Sequence, residues 1–282
     1  MKLFLVVNRF ASKMVDHSSM CKEKVSYMNK GEAYANLVKD SQARYRMQSD
    51  EASFLIPLDE DFGICNEINL YTYWQGLGYA DGTPEIKYLL VGQDWGDPAY
   101  VPASFWDRIR AINSGQEQPY IDEQGGDTVF RTDRNLIELF RQLGYGEGDM
   151  PSIAEKRYSE LFFTNFCLGY RRKKSSRGMT KKLMKDDMES FQTLCTILQP
   201  KNILCLGRLT FDCVYKALVK GKRIPYKGYM KYIGENQETK ADADYGGGRI
   251  HPLAHCGGLG TRNRPLAMQI EDWKQVHIHA MR

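Results

Sequence analysis

The stretch from Tyr88 to Tyr100, "YLLVGQDWGDPAY", decides how the chain is read. Tyr88, Leu89, Leu90 and Val91 are apolar without alternation, the pattern of a strand buried on both faces. The run stops at Gly92, and a strand has no need of the glutamine and aspartate that follow it. In open α/β sheets, ligands bind beyond the carboxyl ends of the strands, so Gln93 and Asp94 are candidates for chemistry. In isolation Asp94 also suits a helix cap after a strand.

Working outward, "ELFFTNF" at 160–166 and "KNILCLG" at 201–207 repeat the pattern, and "GGRIHPLAH" at 247–255 is a fourth candidate strand. Helical periods lie between them. "DRNLIELFRQLGY" opens on Asp133 as its cap and closes at Gly144, and "KDDMESFQTLCTIL" runs up to Pro200. "PLAMQIEDWKQV" supplies a last helix, and "MNKGEAYANLVKDSQARYRM" from Met28 an early one with Tyr34, Leu37 and Val38 on one face. Strand alternating with helix predicts an α/β fold, a three-layer α/β/α sandwich around a central four-stranded parallel sheet. Residues 1–27 carry no period and read as a poorly ordered extension, leaving 28–282 as a single domain. Two insertions, the basic "RRKKSSRGMTKK" at 171–182 and a Gly, Lys and Tyr-rich stretch from about 221 to 248, read as surface loops.

The 282 residues include 42% hydrophobic ones, enough for a core. No run of about 18 apolar residues is present, which argues against a membrane span, and "LFLVV" near the start is short for a signal peptide. Seven cysteines without a CxxC pair suit a reducing cytoplasm and offer no zinc or iron-sulfur site. The net charge of +4 is mild, so affinity for nucleic acid has to come from local clustering such as 171–182.

After the strands come Gln93 and Asp94, then Asn165 inside the second run, Gly207, and finally His251, His255, Gly257 and Leu259. An aspartate, an amide and a histidine in one crevice suit cleavage of an N-glycosidic bond, whose transition state builds positive charge on the sugar and negative charge on the leaving base. Here the chain resembles the uracil-DNA glycosylase superfamily, from about Glu85 to Trp273. "VGQDWGD" is similar to that family's GQDPYH or GEAPG loop, "FFTNF" to its base-reading strand, "PKNILCLG" to its P-x-x-I-x-x-LG strand and "HCGGLGTR" to its HPS-x-L loop.

The resemblance implies a monofunctional DNA glycosylase that flips a pyrimidine out of the helix and leaves an abasic site, with no lysine matched for a lyase step. Asp94 would orient water and stabilise the sugar cation. Asn165 would read the base edge, and a histidine would donate to O2 of the departing base. His255 stands four residues before Leu259, the family's spacing, while His251 copies its His-Pro dipeptide; both remain candidates. Gln93, Gly96, Trp95 and Phe105 would line the base pocket, with Tyr100 and Tyr170 as further stacking candidates. Leu259 would wedge into the duplex, and Arg171, Arg172, Lys173, Lys174 and Arg262 would meet phosphates.

Gly96 falls where uracil-specific members carry a tyrosine that blocks substituents at C5. Its absence implies a C5-modified pyrimidine, such as a hypermodified cytosine of phage DNA, as substrate beside uracil. Ordinary uracil repair, a non-catalytic DNA-binding or sensing protein and a small-molecule nucleoside hydrolase are the rivals. Some branches of the family carry an iron-sulfur cluster on an N-terminal cysteine pair. Here Cys21 and Cys65 stand isolated, so no metal and no cofactor are expected. The partner expected is DNA, with no membrane, and the chain is read as a monomer. His277 and His279 read as solvated, and Trp106 and Trp273 as packing residues.

Overall fold

The run that opens the sequence reading is paired on both edges. The computed structural model describes residues 30–47, 55–56, 85–94, 96, 131–156, 158–168, 170–171 and 179–282. In it, β2 (Tyr88–Gly92) pairs in parallel with β3 (Leu161–Asn165) on one side and with β5 (Asn202–Leu206) on the other. β5 pairs in parallel with β7 (Arg249–Leu253), and the short β6 (Thr239–Lys240) closes that edge antiparallel. The sheet order is β3-β2-β5-β7-β6. The four parallel strands are those read from the sequence, but the sheet has five strands, not four. β6 lies inside the Gly, Lys and Tyr-rich stretch, and two residues are too few to carry a period. A separate antiparallel pair joins β1 (Leu55–Ile56) to β4 (Tyr170–Arg171).

Alternate strand residues enter two different cores, because successive side chains point to opposite faces. Leu89, Val91, Phe162, Ile203, Cys205 and Ile250 face one cluster, built with α1 (Lys30–Met47), α4 (Met188–Leu198), α5 (Arg208–Leu218) and α6 (Tyr229–Gly234). Tyr88, Leu90, Leu161, Phe163, Leu204, Leu206 and Leu253 face the other, built with α2 (Arg131–Arg141) and α8 (Leu266–Ala280). Helices thus cover both faces of a mostly parallel sheet, which is why its strands lack polar alternation.

Asp133 sits in the first turn of α2 instead of capping it. α4 ends at Gln199 in a left-handed cap, φ 47°, just before Pro200, and is preceded by the four-residue α3 (Lys181–Met184) and a 3-10 turn at Lys185–Asp187. Buried Asp187 accepts from the Leu168 N–H at 3.3 Å and pairs with Arg44, tying α1 to the chain after β3. The stretch from about 221 to 248 is not a surface loop as the sequence implies. Tyr229, Tyr232 and Ile233 of α6 are buried, and the two tyrosines pack around Phe211. The proposed extension 1–27 lies outside the described residues.

Trp273 anchors α8, being fully buried with its ring 5.1 Å from that of Phe140 in α2. Truncation to alanine removes the largest buried side chain of that layer. Trp273→Ala is expected to destabilise the fold by about 3–5 kcal/mol, read as a lower midpoint in chemical denaturation; a loss below about 1 kcal/mol would contradict the packing described.

Candidate functional site

Parallel pairing fixes the heights at which the chain leaves the sheet. Gly92 stands opposite Asn165, and the ladder continues past both strands as Phe166 N–H donates to the Gly92 carbonyl at 2.9 Å and Cys167 N–H to that of Gln93 at 3.0 Å. A Cβ at position 92 would lie 2.1 Å from Asn165 Oδ1. The Asn165 amide therefore lies across the bare backbone of Gly92, and glycine is needed there for space.

Asp94 follows two residues later with its carboxylate held on both oxygens. Oδ2 accepts from Gln93 Nε2 and Oδ1 from the Gly96 N–H, each at 2.8 Å. The second contact closes a turn in which Gly96 adopts φ 81°, a region costly for other residues. Glycine at 96 thus has a backbone reason of its own.

β7 carries both histidine candidates and separates them. His251 lies within the strand, opposite Leu204, and is buried. Desolvation, with smaller contributions from His279 and Arg249, pushes its pKa down to about 3. His255 comes after the strand has ended at Leu253. A Cβ on Gly207, φ 95°, would lie 3.8 Å from His255 Cβ, so the histidine stands at the carboxyl end of β5. Its Nδ1 accepts from the Gly257 N–H at 2.9 Å, which puts the proton of the neutral ring on Nε2. The residue is solvent-exposed, yet protein crowding still lowers its pKa, while the Asp94 carboxylate acts in the opposite direction. Water on the open side of the ring opposes that desolvation.

The loop after His255 is held tightly. Asn135 Nδ2 of α2 donates to the Cys256 carbonyl. A Cβ on Gly257 would come within 2.9 Å of Thr132 Oγ1, and one on Gly260 within 1.6 Å of the His255 carbonyl oxygen. Thr132 and Asn135 pack against this loop, and nothing in a helical period marks them in the sequence.

The structure thus brings Gln93, Asp94, Gly96, Asn165 and His255 to adjoining strand ends, and leaves His251 inside the sheet. Leu259, 69% exposed, and the exposed Arg262 lie on the short α7 (Gly258–Asn263) just beyond. Arg171 is described only by its backbone, paired in β4 with Leu55. Trp95, Tyr100, Phe105, Arg172, Lys173 and Lys174 lie outside the described residues, as does the Tyr170 side chain. Lys181, from the same basic run, is tied to buried Asp212 of α5.

Arg208 was also missed, although it directly follows the glycine that ends β5. Its Nε donates to Tyr226 Oη at 3.0 Å, and that hydroxyl donates to Asp212. Arg208 and Lys231 line an open depression of about 470 Å³ with Gly228, Tyr229, Met230 and Asn263. This cleft borders α7 and adds positive charge at the same edge of the sheet.

No protein-family model matches the chain, and no curated protein matches it significantly.

If Asp94 and His255 share one field, removing the carboxylate should change the histidine. Desolvation leaves the His255 folded-state pKa below its unfolded value, about 6.5, so its contribution to stability is present above that value and is lost as pH falls through the folded pKa. His255 is expected to titrate below about 6.5 by NMR and lower still in Asp94→Asn. An unchanged pKa in the variant would separate the two groups.

Proposed function

We propose that the protein is a monofunctional DNA glycosylase acting on a flipped pyrimidine, either a C5-modified base or uracil. The observation that carries this reading is the meeting of Asp94, Asn165 and His255 at adjoining strand ends, with the carboxylate and the imidazole coupled. The four motifs that resemble the uracil-DNA glycosylase superfamily supply these same residues in order, and an α/β fold with helices on both faces of the sheet is compatible with that superfamily.

Breaking the bond between C1′ and the base leaves the electron pair on the base and a cation on the sugar. Asp94 is the acid residue suited to face that cation, and its fixed carboxylate can also hold the water that attacks C1′. The negative charge spreads onto the carbonyl oxygens of the base. His255 can donate to one of them as a neutral imidazole, because its bond to Gly257 keeps the proton on Nε2. Asn165 offers a donor and an acceptor to the base edge, a contact that penalises bases unable to complete it. Leu259 is an apolar side chain exposed enough to enter a duplex, while Arg208, Lys231 and Arg262 provide cations for the backbone. The absence of a side chain at Gly96 supports room for a C5 substituent.

The test is single-turnover base release from DNA carrying uracil, thymine, 5-hydroxymethylcytosine or its glucosylated form. Release of a C5-modified base is expected, falling about 10²–10⁴-fold in Asp94→Asn while DNA affinity is retained. Release of uracil alone would make the protein a repair enzyme with an open gate. DNA binding without release from any substrate would favour the non-catalytic reading.

A further inference from the structure

Far from the strand ends, the C-terminal helix brings a histidine against the sheet. The sequence reads His279 as solvated, but its ring stacks on that of His251, centroids 6.4 Å apart and planes 22° apart. Glu238, just before β6, reaches the same place. Its Oε2 lies 3.5 Å from His279 Nδ1 and 3.9 Å from His251 Nδ1. We propose that Glu238, His251 and His279 form a binding site for a divalent transition-metal ion of the Zn²⁺ type, contrary to the expectation of a metal-free chain.

The argument starts two residues away from the site. Asn202 Nδ2 donates to the Lys87 carbonyl at 3.2 Å, which turns its Oδ1 toward His251. The contact of His251 Nε2 with that oxygen, 3.0 Å, therefore makes Nε2 the donor. Nδ1 lies 3.9 Å from Glu238 Oε2, beyond hydrogen-bond reach, so no proton is shared between them and Nδ1 turns a lone pair toward the carboxylate. Glu238 Oε2 is itself buried and accepts no hydrogen bond. Two electron-rich atoms facing one another out of water repel unless a cation lies between them. A proton on His279 would satisfy only one edge of the triangle and leave His251 Nδ1 against the oxygen.

The remaining features fit a metal. One ligand atom from each of the three residues lies within 4.8 Å of the other two. Zinc bonds of about 2.0–2.1 Å in a tetrahedron place ligands about 3.3 Å apart, so Glu238 Oε2 has to close on the two Nδ1 atoms by about 0.2 and 0.6 Å, and no pair of ligand atoms by more than about 1.5 Å. Asn202 behind His251 is the outer partner that fixes a metal-binding imidazole. Arg249 engages the opposite side of the carboxylate, its Nε 3.7 Å from Oε1, and donates from Nη1 to the His279 carbonyl at 2.7 Å, leaving Oε2 for the ion. A cavity of about 10 Å³ adjoins His251 and His279, lined also by Gln237 and Gln275, and has room for one water as a fourth ligand. Such an ion would pin the end of α8 to the edge of the sheet.

The test uses full-length, tag-free protein stripped by a chelator. It is titrated with Zn²⁺ against a chromophoric competitor, and separately with Co²⁺ while visible absorption is followed. One equivalent should bind, raising the melting temperature, and the Co²⁺ spectrum should show nitrogen and oxygen ligation without a thiolate charge-transfer band. Glu238→Gln and His279→Ala, both at partly exposed positions, should weaken binding at least about 100-fold, and Asn202→Ala about 10–100-fold. Absence of stoichiometric binding, a thiolate band, or wild-type affinity in both Glu238→Gln and His279→Ala would overturn the proposal. The wild-type spectrum decides even if a variant does not fold.

Discussion

Parallel pairing of β2 with β3 and β5 is the constraint from which the candidate site follows. Because Gly92 is opposite Asn165 and the ladder runs on through Phe166 and Cys167, the Gln93-Asp94 turn leaves the sheet at a height set by backbone hydrogen bonds. The rigid core on either face prevents that height from drifting, since a one-residue slip of β2 would send Leu89 and Val91 into the wrong layer. The site is therefore positioned by the least adjustable part of the molecule. The side chains themselves need only short tethers, which Gln93 and Gly96 provide to the carboxylate of Asp94.

The opposite wall is built differently. His255 belongs to a turn, and a turn positions a ring precisely only if its backbone cannot move. Here Gly260 passes against the His255 carbonyl and Asn135 of α2 holds the next one, so two helices and a strand end converge on three residues. Glycine serves close approach in this loop, whereas at Gly96 and Gly207 it serves positive φ. Distinguishing these two uses requires coordinates, since both read in sequence as the same letter.

That difference explains how far the sequence was legible. Runs such as "YLLVG" and "NILCL" announced buried parallel strands because both faces of the sheet are covered, leaving no polar positions to confuse the pattern. The placement of Asp94, Asn165 and His255 at strand ends was legible because each lies at or just beyond the close of an apolar run. β6 and α6 were not, since two residues carry no period and tyrosines divide evenly between cores and surfaces. Arg208 obeys the same positional rule as Asp94, standing two residues past the end of β5, but it opens a helix whose period gives it no mark of its own. Thr132, Asn135 and the pairing of His279 with His251 depend on which helices meet, information that no local window contains.

The two histidines of the β7 segment show the same limit in its sharpest form. They are four residues apart and chemically identical, and the sequence leaves the choice between them open. Position and hydrogen bonding make them opposites. His251 sits mid-strand among buried groups, donates from Nε2 to Asn202 and turns a lone pair on Nδ1 inward. His255 lies past the strand, is exposed, and accepts at Nδ1 from Gly257, which leaves its proton on Nε2. A ring that presents a lone pair suits a cation, and one that presents an N–H suits a developing anion. The termination of β7 at Leu253 thus divides one short sequence into a buried ring that presents a lone pair and an exposed ring that carries its proton on Nε2.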